Sequence, residues 1–477
     1  MSQRFIFVIW SLGLFAFYTC CNNKLNAQPV LAQERQAQEQ NTFLGLRPVY
    51  YLEIDFLSQS NSAQVYESVA VTNTTSENWR YLVFSVPPAA TPHVFKLNSL
   101  TIEIFAIEQP ASFRWEGIML FIELPFELRP QTSIVIRFSF WLYPLRLKGT
   151  EVHPAGNLGY DGTVYQFGDF YPVLTPYDQA KGFRTWSYKA WGDPYVYVIS
   201  DVNVRIKTDV DLLIAAYGLV THYQNLWEFR QKGVRAFAFC ASRYYDFISD
   251  EVEGIPIYCY FVRGYEKAAQ FTMMVAKQAL PLYSRFFGPY HYQELVMAQN
   301  AYASAMEYSG FFTIANIHFR NYRPASPQLL IYIVVHELGH QWWYGAVGND
   351  QVKEFWLDEG LTRFSEFFYF REYQPAYLGW WESMLKVKWP QGYYIDDSLE
   401  VFTNSHDYTR LTYGIAPAFF KELYELIGEE AMLAFLKDYY QAGTDSLMRG
   451  KDFFRILGRH TQVNITPLLK KYFRAPP

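Results

Sequence analysis

His336-Glu337-Leu338-Gly339-His340 opens a stretch that continues through Gln341-Trp342-Trp343. After eighteen intervening residues it reaches Glu359, within Trp356-Leu357-Asp358-Glu359-Gly360-Leu361. The two histidines are one helical turn apart, which puts both imidazoles on the same face, where they can share one metal ion. The local signals predict that helix. Ser326-Pro327 offers a capping hydroxyl followed by proline in the first turn, Leu329 to Val335 are apolar, and Gly345 supplies a stop. Glu337 sits between the histidines, placed to take a proton from an attacking water. A catalytic zinc needs a third protein ligand and an open fourth position. Glu359, at the start of a second expected helix, is the candidate ligand. Glu366 lies two turns further on the same face, where a carboxylate can fix a ligand imidazole through its other N–H. With 9 histidines in 477 residues, H-E-x-x-H arises by chance in about one such chain in a hundred. The motif alone therefore leaves room for two ordinary core histidines, and Glu359 is what turns it into a metal site.

The composition suits a folded chain with a sizeable core: hydrophobic residues are 50% and charged residues 18%. The net charge of -5 carries no basic footprint for nucleic acid. Aromatic residues reach 19%, mostly 39 Tyr and 40 Phe, which fits strand-rich packing. Short β-branched and aromatic stretches separated by turn residues run through 50–56, 65–71, 81–86, 100–107, 118–124 and 133–141. They predict an antiparallel β domain over 43–232. Strands near 235–241, 255–261 and 295–299, a helix at Glu266 to Phe287, and mostly helix from Ser326 onward make 233–477 a second domain and the whole an α+β chain.

The N-terminus reads as an address. Residues 5–19 are almost wholly apolar, too short for an ordinary spanning helix and matched to a signal-peptide core. Cys20-Cys21 follows directly, as in a lipoprotein signal, so 1–21 is expected to be a signal and Cys20 or Cys21 a lipid anchor. Cleavage after Ala27 or an uncleaved anchor are the competing readings. The polar, Gln-rich 22–42 is expected to be a flexible tether. Each version puts the body outside the cytoplasm, in the periplasm or at the cell surface. The remaining cysteines, Cys240 and Cys259, lie in strand-like stretches and are either a disulfide or two buried thiols.

H-E-x-x-H, eighteen residues, then glutamate within W-x-x-E-G resembles the zinc signature of the aminopeptidase N family, a branch of the gluzincins. His340-Gln341-Trp342-Trp343 is similar to that family's H-Q-W-F/W continuation. The resemblance covers 155 to 475 and is strongest between 304 and 366. It implies a thermolysin-like catalytic domain, one zinc ion per chain and removal of N-terminal residues from peptides. It also suggests a short form without the large C-terminal helical domain of many members. Ser304-Ala305-Met306-Glu307-Tyr308 stands where the family has G-A-M-E-N. By resemblance Glu307 binds the substrate's α-amino group, with Ala305 and Met306 beside it; Ser304 and Tyr308 depart from the pattern. Tyr413, in Leu411-Thr412-Tyr413-Gly414-Ile415, resembles the tyrosine of Y-x-K-G-A that donates to the oxyanion, with Tyr408 in reserve. Phe170-Tyr171-Pro172 and Tyr177-Asp178 resemble a bacterial W-Y-P … Y-D segment near which a polar residue helps hold the amine. Gln166 and Asp169 are candidates, against the reading of ordinary loop residues. Two rivals stay open: an endopeptidase or other hydrolase on the same scaffold, and a non-catalytic binding protein.

Overall fold

Tyr50, Leu52, Ile54 and Phe56 point inward from the strand Val49–Leu57, and polar or exposed residues alternate with them. This period of two buries one face of a sheet. In the computed structural model, which describes residues 46–104, 107–148 and 156–475, that strand lies at the middle of an eight-stranded sheet. The expected signal, the tether and the candidate lipid site at Cys20 or Cys21 lie outside the described residues. Among the described residues no helix is long and apolar enough to cross a membrane.

The sheet runs, in spatial order, Leu219–Tyr223, Leu226–Val234, Ser200–Thr208, Val49–Leu57, Ser62–Thr72, Ser133–Leu142, Phe95–Ile104 and Ile107–Pro110. Its pairings are antiparallel except that Val49–Leu57 runs parallel to Ser200–Thr208, Leu52 facing Val204. A four-stranded sheet with Trp79–Ser85 and Met119–Leu128 at its centre packs against it, Phe84 meeting Phe138 edge to face at 5.2 Å. Phe239–Ser242, expected to begin the second domain, instead pairs with Tyr165–Gly168 in a further sheet.

A five-stranded sheet then follows in the order Tyr245–Val252, Ile255–Val262, Leu295–Asn300, Phe311–Ala315, Met306–Tyr308. The last is a short antiparallel edge strand carrying Glu307. The helix Glu266–Phe287 has the predicted limits. Beyond it come the helices Gln328–Gly339, Glu359–Tyr373, Pro375–Met384, Ala416–Ile427, Glu429–Gly443, Gly450–Leu457 and Thr466–Tyr472. The motif helix does not start as the sequence suggests. Ser326 makes no cap; its hydroxyl bonds the Gln328 side chain, and the Pro327 carbonyl accepts the first helical N–H groups, of Leu330 and Ile331, at 3.0 Å. Cys240 and Cys259 are free, buried thiols in different sheets.

Glu67 violates the inward pattern of Ser62–Thr72. It is 2% exposed, and neither carboxylate oxygen has a hydrogen-bond partner. Burial raises its pKa well above the usual carboxylate range. The folded chain thus holds a proton that the unfolded chain releases, so stability falls as pH rises above the unfolded value. Relative to Glu67→Gln, the parent should lose about 1.4 kcal/mol for each pH unit above the unfolded pKa until the buried group ionises. Urea midpoints taken across this range would read the slope. Parallel pH profiles for the two proteins would contradict the assignment.

Candidate metal centre and active site

Two helices build the site. Gln328–Gly339 and Glu359–Tyr373 approach closely because Gly339 has no side chain: a Cβ there would lie 3.1 Å from Thr362 Cγ2. The turn before the second helix is fixed by Trp356, whose ring packs among Phe419, Phe420, Phe453, Phe454 and Phe473 at 5.1–6.0 Å. Glu359 is the first residue of that second helix.

His336, His340 and Glu359 converge. His336 Nε2 lies 3.2 Å from His340 Nε2 and 3.1 Å from Glu359 Oε2, and His340 Nε2 is 3.5 Å from the same oxygen. All three are nearly inaccessible to solvent. Ligand atoms held about 2.0–2.1 Å from a tetrahedral zinc stand about 3.3 Å apart, so this trio fits the ion in spacing as well as in donor type.

The outer nitrogens show which face of each ring is free. His336 Nδ1 donates to Glu366 Oε1 at 2.8 Å and His340 Nδ1 to Asp358 Oδ1 at 2.9 Å. A carboxylate only accepts, so each Nδ1 carries a proton, and a bound ion would take the Nε2 atoms, which face the centre, as its ligands. Each carboxylate is anchored in turn. Glu366 Oε2 accepts from Arg363 at 2.6 Å and from Trp381 Nε1 at 2.7 Å, while Gln351 donates to Asp358 Oδ2. Asp358 occupies the N-cap position of its helix but makes no cap; its side chain serves His340 instead. A second grouping, Glu307, His340 and Asp358, also brings ligand atoms together. Asp358, however, is already committed to His340 Nδ1 and Gln351.

Glu337 is 4% exposed and its Oε2 has no hydrogen-bond partner. Burial pushes its carboxyl up to about 7 against the pull of both histidines. Glu307 is equally buried, Oε1 likewise lacks a partner, and burial raises its carboxyl well above the usual range. Met306 beside it is buried and Ala305 half-buried. Tyr413 lies in a π-helical turn, Leu411–Ile415, and donates to Glu359 Oε1 at 2.5 Å. Burial and the nearby Glu359 raise its phenol well above its ordinary value, which keeps the hydroxyl a donor. Arg363 Nε also bonds the Tyr413 carbonyl at 3.3 Å, so one guanidinium ties this turn to the support of His336. Tyr408 is buried against Phe355 and Phe402.

Gln166 lies on the strand Tyr165–Gly168, buried with both amide atoms unpartnered. Asp169 is bound by Asn157 at 2.7 Å and Tyr197 at 3.0 Å. Tyr308 is buried, and a Cβ on Gly168 would collide with its hydroxyl, so the departure from the family asparagine packs into the strand that carries Gln166. Sequence reasoning missed Asp358, Gln351, Arg363 and Trp381. Asp358 had a signal, as a carboxylate adjoining a candidate ligand. The other three act through contacts that no local spacing announces.

The arrangement is that of a mononuclear metal centre with a free carboxylate poised beside it. Residues 271–472 match the Peptidase family M1 domain. Aminopeptidase 2 of Candida albicans is 27% identical over 161 residues, 32% of this chain and 16% of that protein. Aminopeptidase N of Acetobacter pasteurianus is 29% identical over 123 residues, 24% of this chain and 35% of that one. The matches thus span a minor share of these curated relatives. A mutant M1 zinc metallopeptidase from Deinococcus radiodurans, solved with a Tyr-Ser-Ala substrate, shares the fold at a TM-score of 0.65 and 16% identity, over 91% of this chain and 95% of that one.

Asp358→Asn should weaken zinc by about ten- to hundredfold, because it removes the carboxylate that orients His340. Competition against a zinc chelator measures this. Affinity equal to the parent would show that His340 needs no such support.

Proposed function

We propose that the chain is a zinc-dependent aminopeptidase that removes N-terminal residues from peptides, with His336, His340 and Glu359 as the ligands. The observation that carries this reading is a pair of buried, unpartnered carboxylate oxygens, on Glu337 and Glu307, at the margin of the three-ligand cluster. Zinc, when bound, supplies a Lewis acid and makes water a competent nucleophile near neutral pH.

Glu337 takes the proton of the attacking water and returns it to the leaving amine. Its raised pKa brings it near the working pH, where a proton is both accepted and released readily. The Tyr413 hydroxyl donates to the oxyanion that forms on the scissile carbonyl. Glu307 holds the substrate's free ammonium, which sets the cut one residue from the N-terminus; Ala305 and Met306 border that position. The amide of Gln166 is a buried polar group of the β region with hydrogen bonds to spare. The apolar run at 5–19 supports a location outside the cytoplasm, with a lipid anchor at Cys20 or Cys21.

Glu337→Gln should keep its zinc and lose roughly 10²–10⁴-fold in kcat. Hydrolysis of aminoacyl substrates near the parental rate would remove Glu337 from the base role. Tyr413→Phe should lower kcat by about 10²–10³ with little change in zinc content. A free-amino peptide and its N-acetylated form separate the exopeptidase from its rival: equal cleavage of both would point to an endopeptidase.

A further inference from the structure

The outer face of the eight-stranded sheet carries a row of aromatic rings. Alternation turns Tyr50, Val65, Phe140 and Leu142 inward, all fully buried, and so turns Tyr51, Tyr66, Trp141 and Tyr143 outward. Tyr51, Tyr66 and Tyr143 are 54%, 45% and 40% exposed, and Trp141 is half-buried. The register sets them in one line. Tyr51 faces Ser68, two residues from Tyr66; Tyr66 faces Ser139, two residues from Trp141. Each step is a diagonal of about 7–8 Å. Trp141 and Tyr143 extend the line with rings 6.4 Å apart and 20° from parallel. The stripe crosses three neighbouring strands and is roughly 20 Å long. Polar groups flank it. Gln64 stands between Asp55 and Trp141, and its Nε2 donates to the Tyr66 hydroxyl at 2.6 Å. Beside Tyr66 opens a depression of about 460 Å³, lined by Glu53, Asp55, Arg205, Lys207 and the exposed Tyr223. Acid faces base across its floor, Glu53 opposite Arg205 and Asp55 opposite Lys207.

We propose that this face binds a neutral oligosaccharide chain, its sugar rings stacked along Tyr51, Tyr66, Trp141 and Tyr143. A pyranose presents a face of C–H groups, which packs on an aromatic ring, and a rim of hydroxyls, which need donors and acceptors. The stripe supplies the first over several successive rings. Glu53, Asp55 and Gln64 supply acceptors at its margin, and Gln64, Arg205 and Lys207 supply donors. The charges oppose one another in pairs, so the face offers little net field to a polyanion or an acidic membrane. The rings stand in single file among polar side chains and form no broad apolar patch of the kind that a protein core or a lipid surface covers. Strand addition by a peptide is ruled out as well. The stripe lies on Val49–Leu57, Ser62–Thr72 and Ser133–Leu142, interior strands whose backbone groups are already paired on both sides. The site shares no residue with the metal centre and does not depend on its chemistry.

The test titrates the full chain by calorimetry with cellohexaose and N-acetylchitohexaose, both neutral and extended. Hexagalacturonic acid serves as the anionic counterpart and a proline decamer as the peptide one. A neutral hexasaccharide should bind. Tyr66→Ala and Trp141→Ala should each weaken it by about tenfold, and the double variant should lose measurable binding. Thermal midpoint and aminoacyl turnover should stay at parental values in all three. Tyr66→Phe should bind as the parent does, since the sugar meets the ring face and not the hydroxyl. Failure of both neutral sugars to bind at millimolar concentration would overturn the proposal. So would parental affinity in the double variant, or tighter binding of hexagalacturonic acid or the proline decamer than of either neutral sugar.

Discussion

Hydrogen bonds from the outer nitrogens of His336 and His340 to buried carboxylates are the constraint on which the centre depends. A bare imidazole on a helix turns about its side-chain bonds and carries its proton on either nitrogen. Once Glu366 and Asp358 accept from Nδ1, both rings are oriented and both Nε2 atoms are directed at one point. The cost is considerable, because carboxylates inside a protein are unfavourable unless paired. Arg363, Trp381 and Gln351 offset it by occupying the remaining oxygens. Asp358 shows the trade directly, since a residue at a helix N-cap would ordinarily satisfy its own helix.

That support reaches the chemistry through Arg363. Its guanidinium binds Glu366, which orients His336, and also the Tyr413 carbonyl. The π-helical turn around Tyr413 brings the phenol to Glu359, and such turns inside helices recur at functional sites. A disturbance at Arg363 would therefore act on a metal ligand and on the hydroxyl donor together. The aromatic packing around Trp356 has a comparable role just before the helix, where it sets the position from which Glu359 starts.

Local pattern was readable in the sequence wherever one element decides the outcome. The helix Glu266–Phe287, the alternation in Val49–Leu57 and the pairing of His336 with His340 on one face follow from periodicity alone. Glu366 was accessible for the same reason, being two turns from Glu359 on one helix. What long-range contact decides was not readable. The parallel pairing of Val49–Leu57 with Ser200–Thr208 joins strands some 150 residues apart, and nothing in either stretch specifies it. The start at Ser326 misled because its hydroxyl found the Gln328 side chain in preference to a backbone N–H. Gln351 and Trp381 have ordinary sequence neighbourhoods and take their roles from what the fold sets beside them.

The two carboxylates left without partners differ in kind from the buried Glu67. Glu67 sits on an inward strand position among apolar residues, far in sequence from any ligand, and its unpaired oxygens are a burden on folding. Glu337 Oε2 and Glu307 Oε1 lack partners beside a cluster already rich in acid, where the proposed function gives the same burden a use. An acceptor with a partner in the resting protein must break that bond before it can take a water proton or receive an ammonium. An unsatisfied one is already desolvated and aimed, so under the proposed function the strain carried by the folded chain would be relieved as the substrate arrives. The supporting bonds of Arg363, Trp381 and Gln351 allow the fold to tolerate it, since they hold the neighbouring acids and leave Glu337 and Glu307 open.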